Sequence, residues 1–202
     1  MSPSDLHPVP LLPLNEETAV GLGTLFRSID EVEIEQVQWR PSGRRPVTSG
    51  GYGHTVEGPF DIFWRGEMMF SRNNAVGRSD LLGWRVDPTE ASETRTAIDH
   101  SRLLVDEVNY HDDGGQAFFA PGVPTVFLLA PPGDDVAPED FVALYSDGAF
   151  GVNMHPGVWH TAPLPLADRA TFENKQGSIH ATVGLWARQE WGLLFDVPLV
   201  PA

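Results

Sequence analysis

Two histidine segments hold the side chains of this chain best suited to chemistry. Tyr110-His111-Asp112-Asp113-Gly114-Gly115-Gln116-Ala117-Phe118-Phe119 lies well upstream of Gly151-Val152-Asn153-Met154-His155-Pro156-Gly157-Val158-Trp159-His160. Each histidine adjoins a glycine turn and an apolar, strand-like run, so imidazoles from both segments can converge inside one β structure. An imidazole near its ordinary pKa of ~6.5 takes and gives protons at neutral pH. That makes the pair a candidate acid–base site.

The elements that must position these segments read as strands. Leu103 to Val105, Gln116 to Ala120, Thr125 to Ala130, Phe141 to Tyr145, Gly151 to His155 and Val183 to Trp186 are short apolar runs between Gly, Pro or Asp turns, the spacing of a sandwich or barrel. Phe60 to Trp64 and Glu67 to Phe70 form two more, joined at Arg65-Gly66. Val32 to Trp39 alternates apolar and polar residues, the period of a half-buried strand. Pro10 to Leu14 reads as an edge strand, because proline cannot donate to a central ladder. Two short helices are expected, one capped by Asn15 and one over Thr89 to Ile98 behind Pro88. Arg40 to Glu57 reads as a long loop, with Arg44-Arg45 solvated.

Composition narrows the function. The 202 residues include 20 Gly and 18 Pro, which suits a turn-rich all-β fold. A formal charge of −15 excludes backbone binding to nucleic acid, which requires clustered cations. Without cysteine, disulfides, thiolate metal sites and cysteine nucleophiles are excluded. No run of uncharged apolar residues approaches the ~18 needed for a membrane helix, and the N-terminus has no leader pattern. We therefore expect a cytoplasmic protein that engages no membrane.

The turn from His155 to His160 is similar to the second motif of the cupin superfamily, Pro-x-Gly-x-x-His. Gly157 and His160 match it, and His155 stands in the proline's place. His111 to Gln116 resembles the first cupin motif, with Gln116 near the usual glutamate and Asp113 where a second histidine normally stands. Gly115-Gln116-Ala117-Phe118, Val126-Phe127-Leu128-Leu129-Ala130, Gly133-Asp134-Asp135 and Gly151-Val152-Asn153-x-His155-x-x-Val158-Trp159-His160 resemble the ureidoglycolate lyase family in order and spacing. The likeness is strongest over 109–164. Asn73-Asn74 with Arg78 resembles the family's asparagine-bearing strand followed by an arginine. Thr161 departs from the histidine usual after Trp-His, and 171–180 matches nothing in the pattern.

The resemblance implies an all-β, cupin-type double-stranded β-barrel (jelly roll) with short peripheral helices. It implies one cupin domain over 1–202 with an N-terminal elaboration over about 1–60. The implied activity is a lyase of allantoin degradation in purine catabolism, which releases urea and glyoxylate from ureidoglycolate without an organic cofactor. In that reading His160, His111 and Lys175 are catalytic, while Arg78, Gln116, Asn73 and His155 bind the small carboxylate substrate. His111, Gln116 and His160 would hold any divalent ion, with Ni, Zn, Mn and Fe equally suited. His180 is a further candidate on a strand; His7, His54 and His100 have no expected role. A homodimer through the N-terminal strands is expected. Two alternatives stay open: the same barrel acting on another small 2-hydroxy, 2-oxo or amide-bearing acid, and a non-catalytic cupin that senses a small carboxylate.

Overall fold

The computed structural model describes residues 5–37, 43–48, 55–96, 99–177 and 182–201. Alternation in the sequence becomes alternation in burial. Along Arg169–Gln176 the odd-numbered side chains face out, while Ala170, Phe172, Asn174 and Gln176 face in. Thr125–Ala130 is buried at every position, which fits its continuous apolar run, since a strand covered on both faces needs no polar alternation.

These strands assemble into two sheets. One runs, in spatial order, through Arg102–Val105, Arg78–Trp84, Met68–Asn73, Val56–Arg65, Arg169–Gln176, Gln116–Phe119 and Gly151–Met154 to Gly23–Phe26. The other runs from Leu11–Pro13 through Val142–Ser146, Thr125–Ala130, Trp159–His160, Glu107–Tyr110 and Thr182–Trp186 to Val47–Thr48. Pairing is antiparallel except at Asp5–Pro8 on Leu193–Pro198 and at Leu11–Pro13 on Val142–Ser146. This is the all-β, two-sheet architecture expected. Between the sheets one apolar cluster extends from Val9 to Leu199. Its largest fully buried members include Trp159, Phe118, Phe141, Phe172 and Phe195, each phenylalanine contributing about 2–3 kcal/mol by leaving water.

The helices differ from expectation. Asn15 does cap a turn, accepting the N–H groups of Glu17 and Thr18 at 2.9 and 3.0 Å, but the chain turns away at Gly21 and Gly23 and no helix propagates. Residues 87–91 form a turn rather than a helix, because the Asp87 carboxylate takes both the N–H and the hydroxyl of Thr89 and Ser92 is drawn to Glu67. Residues 97 and 98, at the end of that expected helix, lie outside the described residues. Among the described residues the α-helix is Ala187–Trp191, ended by Gly192 in the left-handed conformation, and no sequence signal had marked it.

One strand and one loop expectation also change. From Val32 to Val37 the chain makes only one bridge, Gln36 to Gly114, and 38–39, the rest of the expected strand, lie outside the described residues. Arg45 is not solvated. Its side chain is 4% exposed and pairs with Asp134 at 3.1 Å and Glu190 at 2.9 Å, with its guanidinium 5.2 Å from the Trp159 ring centre. The arginine therefore clamps residues 43–48 across the end of the fold.

Candidate functional site

The two histidine segments meet through the backbone. Gly157 N–H donates to the His111 carbonyl at 2.7 Å, inside a turn in which Gly157 has φ +82°, a conformation glycine adopts without penalty. Gly115 makes a second close approach, since a Cβ there would stand 2.7 Å from the Met154 carbonyl oxygen. Both contacts draw the start of the Gln116 strand against the His155–His160 turn.

A cavity of about 410 Å³ opens above this junction. Alternation along Glu107–Tyr110 sends Glu107 and Asn109 into it with His111 beyond, while Val108 and Tyr110 enter the core. Gln116 and Phe118 face it from their strand, and Gln176 stands directly across from Gln116 in the ladder. His160 reaches it from beside Asn109, while its neighbour Trp159 points the other way, edge-on to Tyr110 at 4.6 Å. Asn73 and Arg78 border the cavity from the same sheet as Gln116 and Gln176, opposite Glu107, Asn109 and His160. His111, Gln116, His160, Asn73 and Arg78 are thus brought together.

Two expected residues are not. His155 sits past the end of its strand, 41% exposed and 3.8 Å from Glu35, because the strand stops at Met154 and the turn carries the next side chain outward. Lys175 lies on the outward face of its strand, opposite in sense to Asn174 and Gln176. Its ammonium reaches the Val32 carbonyl at 3.5 Å and Glu57 at 3.8 Å. His54 and His180 lie outside the described residues, and His7 and His100 are remote from the cavity.

The floor is a continuous hydrogen-bonded network. His160 Nδ1 is 2.7 Å from the Val158 carbonyl and Nε2 is 3.1 Å from Gln116 Oε1. The other end of the Gln116 amide lies 3.0 Å from the Asn174 amide and 3.3 Å from the Gln176 amide. Gln176 Nε2 is 2.7 Å from His111 Nε2, and His111 Nδ1 is 3.2 Å from the Thr182 hydroxyl. The imidazole rings stand 5.3 Å apart. Burial pushes the His160 pKa down to about 4 against the opposing Val158 hydrogen bond, so the ring is neutral at pH 7. Both of its nitrogens are engaged by protein groups.

The same contacts bear on metal binding. Each nitrogen of His111 and His160 already meets a protein group, and the Gln116 amide is shared among three side chains. Among the described residues no group of three or more His, Asp or Glu gathers in ligating geometry. Among the described residues the donors, engaged as they are, do not fit a divalent ion, which needs converging free lone pairs.

Charge collects at the rim. Arg78 Nε bonds both oxygens of Asp80 at 2.9 Å, and its side chain is 60% exposed, so its terminal nitrogens are available to an anion. Burial raises the Glu107 pKa, and Asp80 adds to the rise while Arg78 opposes it. Asn174, Gln176, Thr182, Asn109 and Glu107 were missed by sequence reasoning. A signal existed for two of them: in Ala170-x-Phe172-x-Asn174-x-Gln176 an inward-facing series turns from apolar to amide.

Comparison with known proteins identifies a family. The family model described as ureidoglycolate lyase matches residues 76–180, just over half of the chain. The ureidoglycolate lyase of Azotobacter vinelandii (strain DJ / ATCC BAA-1303) is 38% identical over 71 residues, which is 35% of this chain and 43% of that protein. Those of Stutzerimonas stutzeri (strain A1501) and Pseudomonas savastanoi pv. phaseolicola are also 38% identical over 71 residues, 35% of this chain and 42% of each. The matched region spans less than half the length of these curated relatives.

Proposed function

The chain belongs to the ureidoglycolate lyase family, and from that premise we propose that its cavity cleaves ureidoglycolate to glyoxylate and urea. The reaction removes the hydroxyl proton, forms the carbonyl as the carbon–nitrogen bond breaks, and protonates the departing urea nitrogen. No electron changes hands. What supports the reading is the cavity's pairing of an amide-rich floor with Arg78, the basic side chain other than histidine among its described lining residues. Arg78 holds the substrate carboxylate through its free terminal nitrogens. Glu107, whose proton affinity is raised at the rim, takes the hydroxyl proton and returns it to nitrogen, the role His160 is too deeply engaged to fill.

The remaining properties belong to the same proposal. The protein works in the cytoplasm in allantoin breakdown. Among the described residues no helix is long and apolar enough to cross a membrane. It forms a homodimer through the N-terminal strands, where Leu6 and Leu12 are 45% and 43% exposed.

One observation favours the second reading, another small acid, in the form of an amide-bearing acid longer than ureidoglycolate. A smaller cavity of about 240 Å³ shares Asp80, Leu81, Leu82 and Glu107 with the main one and extends it towards Trp84 and Trp186. The deciding experiment incubates the purified protein with each ureidoglycolate enantiomer and with longer ureido and amido acids. Glyoxylate and urea formed in equal amounts are expected from one enantiomer. Turnover of a longer acid alone moves the assignment to the second reading.

A further inference from the structure

The floor network contains a conflict of polarity. His160 Nδ1 lies 2.7 Å from a carbonyl oxygen, which can only accept, so Nδ1 must carry a proton. If the ring is neutral, Nε2 is then a bare lone pair, yet it faces Gln116 Oε1, another acceptor, at 3.1 Å. The arrangement as it stands suits an imidazolium. A second observation points the same way: Asn174 Nδ2 is buried without a hydrogen-bond partner, which is costly.

Turning three amides by 180° removes the His160 conflict and gives Asn174 Nδ2 a partner, leaving the buried Asn174 Oδ1 where the unpartnered N–H group stood. Gln116 Nε2 then donates to the His160 lone pair, and Gln116 Oε1 accepts from Asn174 Nδ2 and Gln176 Nε2. Gln176 Oε1 now faces His111 Nε2, which must carry a proton, and His111 Nδ1 accepts from the Thr182 hydroxyl. Every distance in the chain already lies between 2.7 and 3.3 Å, so the reversal needs no displacement.

We propose that Asn174, Gln116 and Gln176 form a hydrogen-bond relay of reversible polarity that ties the protonation of His160 to the tautomer of His111. With His160 neutral, the second N–H of Gln116 and of Gln176 is left for the cavity that both residues line. There they meet a negatively charged substrate oxygen, a consequence that rests on the lyase reading. Protonation of His160 reverses the relay. Gln116 then spends both N–H groups on Asn174 and Gln176, and the floor loses that donor. Asn174 and Gln176 are positioning residues, and the burial that keeps His160 neutral holds the floor in its donating state.

The test reads the histidines directly by ¹⁵N NMR on the full chain. At neutral pH His160 is expected to be protonated at Nδ1 only, and His111 at Nε2. His160 protonated at Nε2, or His111 protonated at Nδ1 alone, overturns the relay. A double-mutant cycle adds the coupling. Glu in Gln176→Glu cannot donate, so Gln116 must turn its N–H groups towards it and its oxygen towards His160, and the His160 titration midpoint rises by at least one pH unit. The other titratable and charged groups on the cavity are His111 and Glu107 from one sheet and Arg78 and Asp80 from the other; all stay in place across the cycle. In Gln176→Glu/Gln116→Met the new charge remains but the relay is cut, and the rise should fall below a third of its size. An equal rise with and without Gln116 means charge acting through space, and refutes the relay, as does no rise in the single variant. Because the wild-type tautomers are a separate readout, a variant that fails to fold leaves the idea open to refutation. Failure of the lyase reading is distinguishable, since it leaves the tautomers unchanged.

Discussion

Acidification should destabilise this protein through one buried ring, and replacing His160 with Gln should remove that sensitivity. The His160 pKa is lowered from 6.5 to about 4. Between those values the unfolded chain binds a proton that the folded one does not, so stability rises with pH in this window and is lost on acidification. Above pH 6.5 both states are neutral and the group contributes no pH dependence. The full window corresponds to about 3 kcal/mol at ~1.4 kcal/mol per unit, with about 2 kcal/mol lost by pH 5. Carboxylates and the other histidines also titrate here, so the quantity that matters is the difference between wild type and His160→Gln. Gln can still donate to the Val158 carbonyl or bond Gln116, which keeps the variant folded. Urea unfolding at pH 7.5, 6, 5 and 4.5 supplies both curves. Wild type should lose about 2 kcal/mol more than the variant between pH 7.5 and 5. Parallel curves would mean that His160 is protonated in the folded state or reached by water, and the argument from burial would fail.

Other perturbations separate binding, chemistry and scaffold. Arg78→Ala should raise KM for ureidoglycolate about 10- to 100-fold with kcat little changed, as expected when a charge-assisted carboxylate contact is lost; steady-state kinetics decide. Glu107→Gln should lower kcat by roughly 10²–10⁴-fold and remove one limb of the pH–rate profile, and a variant with an intact profile would return the proton to another group. Lys175→Ala should leave both kinetic constants within about twofold, because its ammonium is turned away from the cavity, so loss of turnover would contradict its placement. Arg45→Met should cost about 2 kcal/mol in urea unfolding, below the usual penalty for breaking a buried pair because Asp134 and Glu190 remain partly hydrated.

Several things were determined by the sequence alone. Short apolar runs between Gly, Pro and Asp turns specified two packed sheets, because period-two burial and turn chemistry are local properties that neighbouring residues carry themselves. The Gly157 turn and the likeness over 109–164 located His111, Gln116 and His160 at one place for the same reason. Only the tertiary structure decided what those side chains do. His155 and His160 share one short segment, yet a strand end and a left-handed glycine send one to solvent and the other inside. Lys175 and Gln176 are adjacent, and the sheet's pleat puts them on opposite faces. Arg45 reads as a solvated loop charge until Asp134, Glu190 and Trp159, all distant in sequence, close over it. The low pKa of His160 has the same origin, since desolvation depends on everything packed around a ring and no window of sequence contains those neighbours.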